Sequence, residues 1–125
     1  MMRRIIFVGI HNKPGLEPLA SSTRSGKLVD RIISDLPNYV HIKSNFYGFD
    51  YFPAQDFVDN HFHFDGWKKR IGYLPDDVVV CLGSMVQRLF ADRSIRFIGI
   101  RHPSFIWSKI DQDKYVIEAI LKIRR

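Results

Sequence analysis

The sequence predicts an α/β fold, a three-layer α/β/α sandwich built on a four-stranded parallel sheet. Short apolar runs typical of buried strands alternate with segments of helical periodicity, which implies parallel strands joined by right-handed crossovers. The first run, Arg4–Ile10, is almost continuously apolar, as expected of a central strand covered on both faces. A long polar loop, His11–Thr23, follows it, and ligands of open α/β sheets bind where the strands end.

Four segments have the pattern of strands. Arg4–Ile10 and Val78–Leu82 are short apolar runs that suit buried positions, and Val78–Leu82 is the clearest strand of the chain. In Tyr39–Ser44 apolar and polar residues alternate, as in a strand with one exposed face. We expect Arg96–Ile100 to be the fourth strand.

Four segments between and after these strands predict helices. They are Ser25–Leu36, a segment from about Gln55 or Asp59 to Ile71, Met85–Ala91 and Asp111–Arg124. The first has an apolar stripe, and its N-cap candidates are Ser22, Thr23 and Ser25. Pro37 is expected to end it. Gly26 in its first turn would let a ligand or a neighbouring backbone come close.

The size and composition indicate a single domain spanning residues 1–125. The 125 residues are 46% apolar, enough for a packed core, and no apolar run approaches the ~20 residues of a membrane span. The one cysteine, Cys81, lies in a strand and is expected to be an inert core thiol rather than a nucleophile or ligand. Such cysteine usage fits a reducing cytosol, so we expect a cytoplasmic location.

The chain is basic, with a formal net charge of +6. Such a charge attracts polyanions such as nucleic acid. A surface rich in Lys and Arg for solubility is the plainer alternative. Several basic residues lie near the predicted loops, which favours the first interpretation; they are Lys13, Arg24, Lys27 and Arg101.

The predicted sheet gathers four loops at one edge, because every strand-to-helix loop of a parallel sheet emerges on the same side. These loops are His11–Thr23, Asn45–Pro53, Gly83-Ser84 and Arg101–Trp107. Their polar side chains are therefore candidates for one common site. The set comprises His11, Asn12, Asn45, His102 and Ser104, with positive charge from Lys13 and Arg101.

His102-Pro103-Ser104 is the most informative triplet of these loops. Proline restricts the backbone, so an imidazole and a hydroxyl would be aimed rigidly from a strand end. A neutral imidazole N–H can stabilise developing negative charge, and a hydroxyl can hold a phosphate. Spacing alone does not choose between this role and a turn in which His102 only caps backbone groups.

Two asparagines and two histidines allow further interpretations. Asn12 and Asn45 carry amides that orient a water or read a base edge, although Asn also simply tolerates turns. His61 and His63, near acidic residues, suggest a metal site. Their i, i+2 spacing puts them on different helix faces, so we expect no metal.

Five short motifs follow one another along the chain. They are Phe7-Val8-Gly9 with Pro14-Gly15, then Arg24–Asp30, Ser44-Asn45, Val78–Gly83 and His102-Pro103-Ser104. Together they resemble the motifs of the uracil-DNA glycosylase superfamily. Arg24–Asp30 is similar to the helix opening of its iron–sulfur-type branch, and Ser44-Asn45 to the Thr-Asn pair whose amide reads the base.

This resemblance implies a DNA glycosylase that extrudes uracil or a related damaged base and uses water to cleave the N-glycosidic bond. Asn12 would position the water, and His102 would stabilise charge on the leaving base. The residues expected around the base are Gly9, Asn45, Phe46 and Tyr47. Those expected to contact phosphate or DNA are Ser25, Lys27, Ser84, Arg101, Ser104 and Phe105, with Phe105 or Ile106 as an apolar wedge.

The same resemblance sets the expected partners. DNA or a nucleotide is the expected ligand of a monomeric protein that uses no cofactor and no membrane. The cysteines of the iron–sulfur branch are absent, so no cluster is expected. Two alternatives stay open: a non-catalytic protein of the same fold that binds a nucleotide, nucleic acid or protein, and an enzyme acting on a free nucleotide or nucleoside.

Overall fold

The computed structural model describes residues 3–10, 15–47, 60–91 and 93–124, with the side chains of residues 60–62 outside this set. Strands and helices alternate along the chain, as predicted. The elements are β1 (Arg3–Gly9), α1 (Arg24–Ser34), β2 (Tyr39–Asn45), α2 (Asn60–Ile71), β3 (Val78–Leu82), α3 (Ser84–Ala91), β4 (Ile98–Ile100), the 3₁₀ turn η1 (Pro103–Phe105) and α4 (Lys109–Arg124).

The four strands form one parallel sheet in the order β2-β1-β3-β4. The predicted α/β fold with a four-stranded parallel sheet is therefore confirmed. The chain moves from β1 to β2 in one direction across the sheet, and from β3 to β4 in the other. The carboxyl ends of β1 and β3 therefore flank a topological switch point, where open sheets leave a crevice for ligands.

Helices pack against both faces of the sheet, because successive side chains of β1 point to opposite sides. Ile5 and Phe7 belong to a core formed with α1 and α4. Ile6 and Val8 belong to a second core formed with α2 and α3. This double covering explains why β1 is almost continuously apolar.

Helix α1 begins at Arg24 because Thr23 is its N-cap, one of the three candidates. The Gly26 N–H donates to Thr23 Oγ1 at 3.0 Å, which satisfies one of the unpaired amides of the first turn. The helix ends at Ser34, earlier than the predicted Leu36, and Asp35 caps it. Leu36 is nevertheless buried, which is why it fits the apolar stripe.

Other boundaries differ by a few residues. Helix α4 begins before the predicted Asp111, because Ser108 Oγ accepts the Asp111 N–H at 3.1 Å and caps the helix. Ser84, the predicted cap of α3, is its first residue. Strand β4 pairs only over Ile98–Ile100. The predicted start of the second helix at Gln55 or Asp59 lies outside the described residues.

No helix in the described part of the chain combines the length and the apolar character needed to cross a membrane.

Candidate functional site

A cleft of about 770 Å³ opens at the carboxyl edge of the sheet, beside the end of β1. Its walls come from the end of β1, the loop before α1, the first turn of α1 and the segment that follows β4. The described lining residues are Gly9, Ile10, Leu16, Glu17, Leu19, Ala20, Ser22, Thr23, Arg24, Ser25, His102, Ser104 and Trp107. This is the edge at which the sequence predicts a site.

The loop before α1 is held in place by Lys43 of β2. Lys43 Nζ donates to the Leu19 carbonyl at 2.9 Å and lies 2.6 Å from Asp30 Oδ1 of α1. Leu19 has φ of 50°, in the left-handed region that a branched side chain rarely adopts. Such a conformation persists where the surroundings impose it, and Lys43 supplies one such restraint.

Gly26 lets this loop pack directly onto the start of α1. A Cβ atom at Gly26 would lie 1.9 Å from the Ala20 carbonyl oxygen, so no larger residue fits without moving the loop. The same oxygen accepts the Thr23 N–H at 2.9 Å and the Thr23 hydroxyl at 2.7 Å. The sequence allows either a ligand or a neighbouring backbone to come close to Gly26, and in the structure it is the backbone of this loop.

His102 and Ser104 lie together at the opposite wall. The Ser104 N–H donates to His102 Nδ1 at 3.1 Å, and Ser104 Oγ lies 2.7 Å from the same nitrogen. A ring nitrogen that accepts an N–H bond carries no proton. A neutral His102 therefore has its proton on Nε2, which makes that nitrogen a hydrogen-bond donor. The side chain of His102 also caps η1, so the same residue caps this turn and lines the cleft.

Neighbouring elements fix the position of His102. The Gly83 N–H donates to the Ile100 carbonyl at 2.8 Å, and a Cβ at Gly83 would lie 3.1 Å from His102 Cβ. Tyr115 of α4 donates its hydroxyl to the Arg101 carbonyl at 2.5 Å. Burial raises the pKa of Tyr115, so this hydroxyl stays protonated and continues to donate.

Asn45 ends β2 directly opposite Gly9 in the sheet. It is buried, and Arg70 of α2 donates to its carbonyl at 2.9 Å. Alternation along β2 places it on the same face as Lys43, which is the α1 side. Asn45 is not among the described residues that line the cleft.

Phe46 and Tyr47 pack into the core between the sheet, α2 and α3. Phe46 is fully buried and meets Phe90 edge to face, while Tyr47 stands edge to face against Phe46 and His63. The enclosed ring of Phe46 leaves no face open to a stacked base. The stacking role expected of Phe46 is therefore corrected to one in the core, whereas that of Tyr47 stays a prediction.

The remaining predicted residues divide into two groups. Gly9, Ser25, His102 and Ser104 line one cleft. Lys27, Ser84, Arg101 and Phe105 are exposed and stand outside its described lining. Ile106, one of the two predicted wedge residues, is only 3% exposed and packs into the α1–α4 core, whereas Phe105 is 71% exposed. Asn12, together with His11 and Lys13, lies outside the described residues.

Sequence reasoning missed the pair Arg24 and Trp107. The Arg24 guanidinium carbon lies 3.4 Å from the centre of the Trp107 ring, and both residues line the cleft. Arg24 was one of the basic residues noted near the loops, and Trp107 ends the last of the four convergent loops. Their pairing across separate elements gives no local sequence pattern.

Within the described residues, no group of three His, Cys, Asp or Glu side chains is arranged to hold a metal ion. Cys81 is fully buried, and this burial raises the pKa of its thiol. Because the thiolate is the reactive form, Cys81 is a core side chain without nucleophilic character at neutral pH.

No family model matches the chain, and no curated protein is significantly similar to it.

Proposed function

We propose that this protein is a DNA glycosylase-type hydrolase that excises uracil or a related damaged base. The observation that carries the proposal is the hydrogen bond between the Ser104 N–H and His102 Nδ1 at the wall of the cleft. It makes Nε2–H of a neutral His102 a donor. When the N-glycosidic bond breaks, uracil keeps the bonding electron pair on its ring nitrogen and shares the negative charge with its carbonyl oxygens, where a fixed N–H donor can stabilise it.

The other features agree with this chemistry. The net charge of +6 favours binding to the phosphates of DNA. Ser25 and Ser104 line the cleft, which supports the expectation that their hydroxyls contact phosphate, and exposed Lys27 and Arg101 would add charge. Asn12 follows Ile10 of the cleft closely in sequence and would position the attacking water.

The test is the conversion of uracil to abasic sites in single- and double-stranded oligonucleotides, with thymine mismatches and hypoxanthine as further substrates. We expect cleavage of at least one substrate, and His102→Ala to slow the chemical step by about 100-fold or more, as loss of an oxyanion donor does in other enzymes. His41→Ala is the matched control, because His41 lies on β2, outside the described lining of the cleft. Absence of abasic sites from every substrate would refute the proposal.

A second candidate is a protein that binds a nucleotide or nucleic acid without cleaving it. It is favoured by the position of Asn45, which is not in the described lining, and by the burial of Phe46. This candidate predicts salt-dependent binding of an oligonucleotide with no abasic product. Hydrolysis of mononucleotides together with weak DNA affinity would instead indicate an enzyme acting on free nucleotides.

A further inference from the structure

The mouth of the cleft holds a large aromatic side chain that is both exposed and fixed. Trp107 is 68% exposed, and yet its ring is covered at 3.4 Å by the Arg24 guanidinium. Of the described lining residues, only Trp107 and His102 have aromatic rings.

Both members of the pair are anchored. Ile106, next to Trp107, is buried, and Gln112 Nε2 donates to the Ile106 and Trp107 carbonyls at 3.4 and 3.3 Å. Arg24 is the first residue of α1, directly after the N-cap Thr23. The indole is therefore pre-organised, and a ligand that stacks on it loses little side-chain entropy.

The position and chemistry of this pair suggest a role in recognition. We propose that Trp107 is the wall on which an extruded pyrimidine stacks in the cleft, and that Arg24 holds the indole and attracts the adjoining phosphate. The inference rests on the proposed function, because it requires the cleft to receive a base. It also replaces the stacking role expected of Phe46, which is fully buried.

The physical basis is the overlap of two flat π systems next to a cation. Base–aromatic stacking changes affinity by about tenfold to a hundredfold per base and tolerates different bases. Arginine strengthens such a site, since its planar cation both stacks on the ring and pairs with phosphate. Stacking thus requires a nucleotide with its base, and the proposed function makes that base a pyrimidine, within a single strand or flipped from a duplex.

The experiment uses two short single-stranded probes. One contains a 2′-fluoro-2′-deoxyuridine, whose glycosidic bond resists hydrolysis, and the other has a tetrahydrofuran abasic analogue at the same place. The chain has two tryptophans, and Trp67 is fully buried. A change of fluorescence on binding therefore reports mainly on Trp107. We expect the base-containing probe to quench this emission and the abasic probe to leave it nearly unchanged.

The variants separate stacking from charge. Trp107→Ala should weaken binding of the base-containing probe by about tenfold to a hundredfold and leave the abasic probe unaffected, while Trp107→Phe retains most of the affinity. Arg24→Ala should weaken both probes through the lost charge, and the base-containing probe more, because the indole is then no longer held in place. Ile110→Ala is the matched control, because Ile110 is equally exposed at 69% but lies in α4, outside the described lining.

Three results would each overturn the inference. Trp107→Ala could lose affinity for both probes equally, the base-containing probe could fail to quench the wild-type fluorescence, or the wild type could bind neither probe. These binding measurements do not depend on turnover. Base-dependent quenching without abasic-site formation would therefore support this inference while the proposed glycosylase activity failed.

Discussion

Ser44 shows how much a single buried hydroxyl contributes to this fold. Its Oγ donates to the Phe7 carbonyl at 2.9 Å and accepts the Trp67 indole N–H at 3.0 Å. Trp67 is fully buried in the α2–α3 core, where an indole N–H needs a partner. The hydroxyl therefore joins β1, β2 and α2 at one point.

Ser44→Ala should lower the free energy of unfolding by about 1–3 kcal/mol, because it leaves a buried indole N–H without an acceptor. Urea titration followed by Trp67 fluorescence measures the effect. Ser34→Ala is the control, since Ser34 is exposed and its hydroxyl bonds locally to the Arg31 carbonyl at 2.8 Å. Equal stability of the Ser44 and Ser34 variants would contradict this account.

The positions of individual residues were predicted correctly where their neighbours along the chain determine the structure. The triplet His102-Pro103-Ser104 lies after a strand, at the predicted edge, and Thr23 is an N-cap. Phe46 was misjudged because β2 pairs one residue further than predicted and the Phe46 N–H still bonds to the Gly9 carbonyl. The ring therefore continues the alternation of Ser44 and turns toward the core.

At the scale of elements, the junction of β3 and α3 determines where the segment after β4 lies. Gly83 has φ of +95°, which a residue with a side chain rarely adopts. Its missing side chain also leaves room for His102 Cβ. One glycine therefore serves both a sharp turn and the placement of an imidazole from another strand.

Gly83→Ala should displace His102, in addition to a backbone strain of about 1–2 kcal/mol, and thereby lower the glycosylase activity proposed above. The shift of the His102 ring signals in an NMR spectrum reports the displacement directly, whatever the activity. Gly72→Ala is a close control, because φ is +61° there and no atom lies within 4 Å of the added Cβ. An unchanged His102 signal in Gly83→Ala would count against the positioning role.

The elements themselves were largely predictable, because apolar runs and apolar stripes are properties of short segments. The boundaries of the helices were less predictable, because they depend on caps such as Ser108, whose hydroxyl accepts the Asp111 N–H. The pairing of Arg24 with Trp107 joins the start of α1 to the segment before α4. Contacts of this kind arise only after the sheet has brought distant segments together.

At the scale of the whole molecule, Arg4 closes the end of the sheet opposite the cleft. Its guanidinium binds both carboxylate oxygens of Asp77, at 2.9 and 2.5 Å, and also donates to the carbonyls of Ile71 and Gly72. Asp77 in turn accepts the Leu74 N–H at 2.8 Å. The start of β1 is thereby joined to the end of α2 and to the turn before β3.

The hydrogen bond from Arg4 holds the pKa of Asp77 below its ordinary value. A carboxyl whose pKa is lower in the folded state stabilises the fold above its unfolded pKa of about 4, and this contribution is lost as the pH falls through the folded pKa. Asp77→Asn should therefore cost about 1–3 kcal/mol at pH 7 and progressively less in acid.

Urea unfolding of wild type and Asp77→Asn between about pH 7 and pH 2 measures this difference. Asp65→Asn is the control, since Asp65 is 63% exposed and lies 3.6 Å from Lys68, a surface pair of little energetic weight. A constant gap between wild type and Asp77→Asn across this range would show that ionisation of Asp77 is not coupled to folding.

The architecture of the whole molecule was predictable only in part. Alternating strands and helices imply a parallel sheet, and that sheet is present. The strand order β2-β1-β3-β4 is not encoded in any single segment, because it depends on which apolar faces cover each other. The cleft depends on that strand order, and so the sequence did not predict which residues line it.

The closure by Arg4 and the cleft lie toward opposite ends of β1, since Arg4 is five residues, or about 17 Å, from Gly9 of the cleft. Substitutions separated by such a distance add their effects nearly independently. Substitutions that stabilise the protein against acid or heat at the Arg4 end can therefore be combined with substitutions that change the ligand specificity of the cleft. Neither set should cancel the effect of the other.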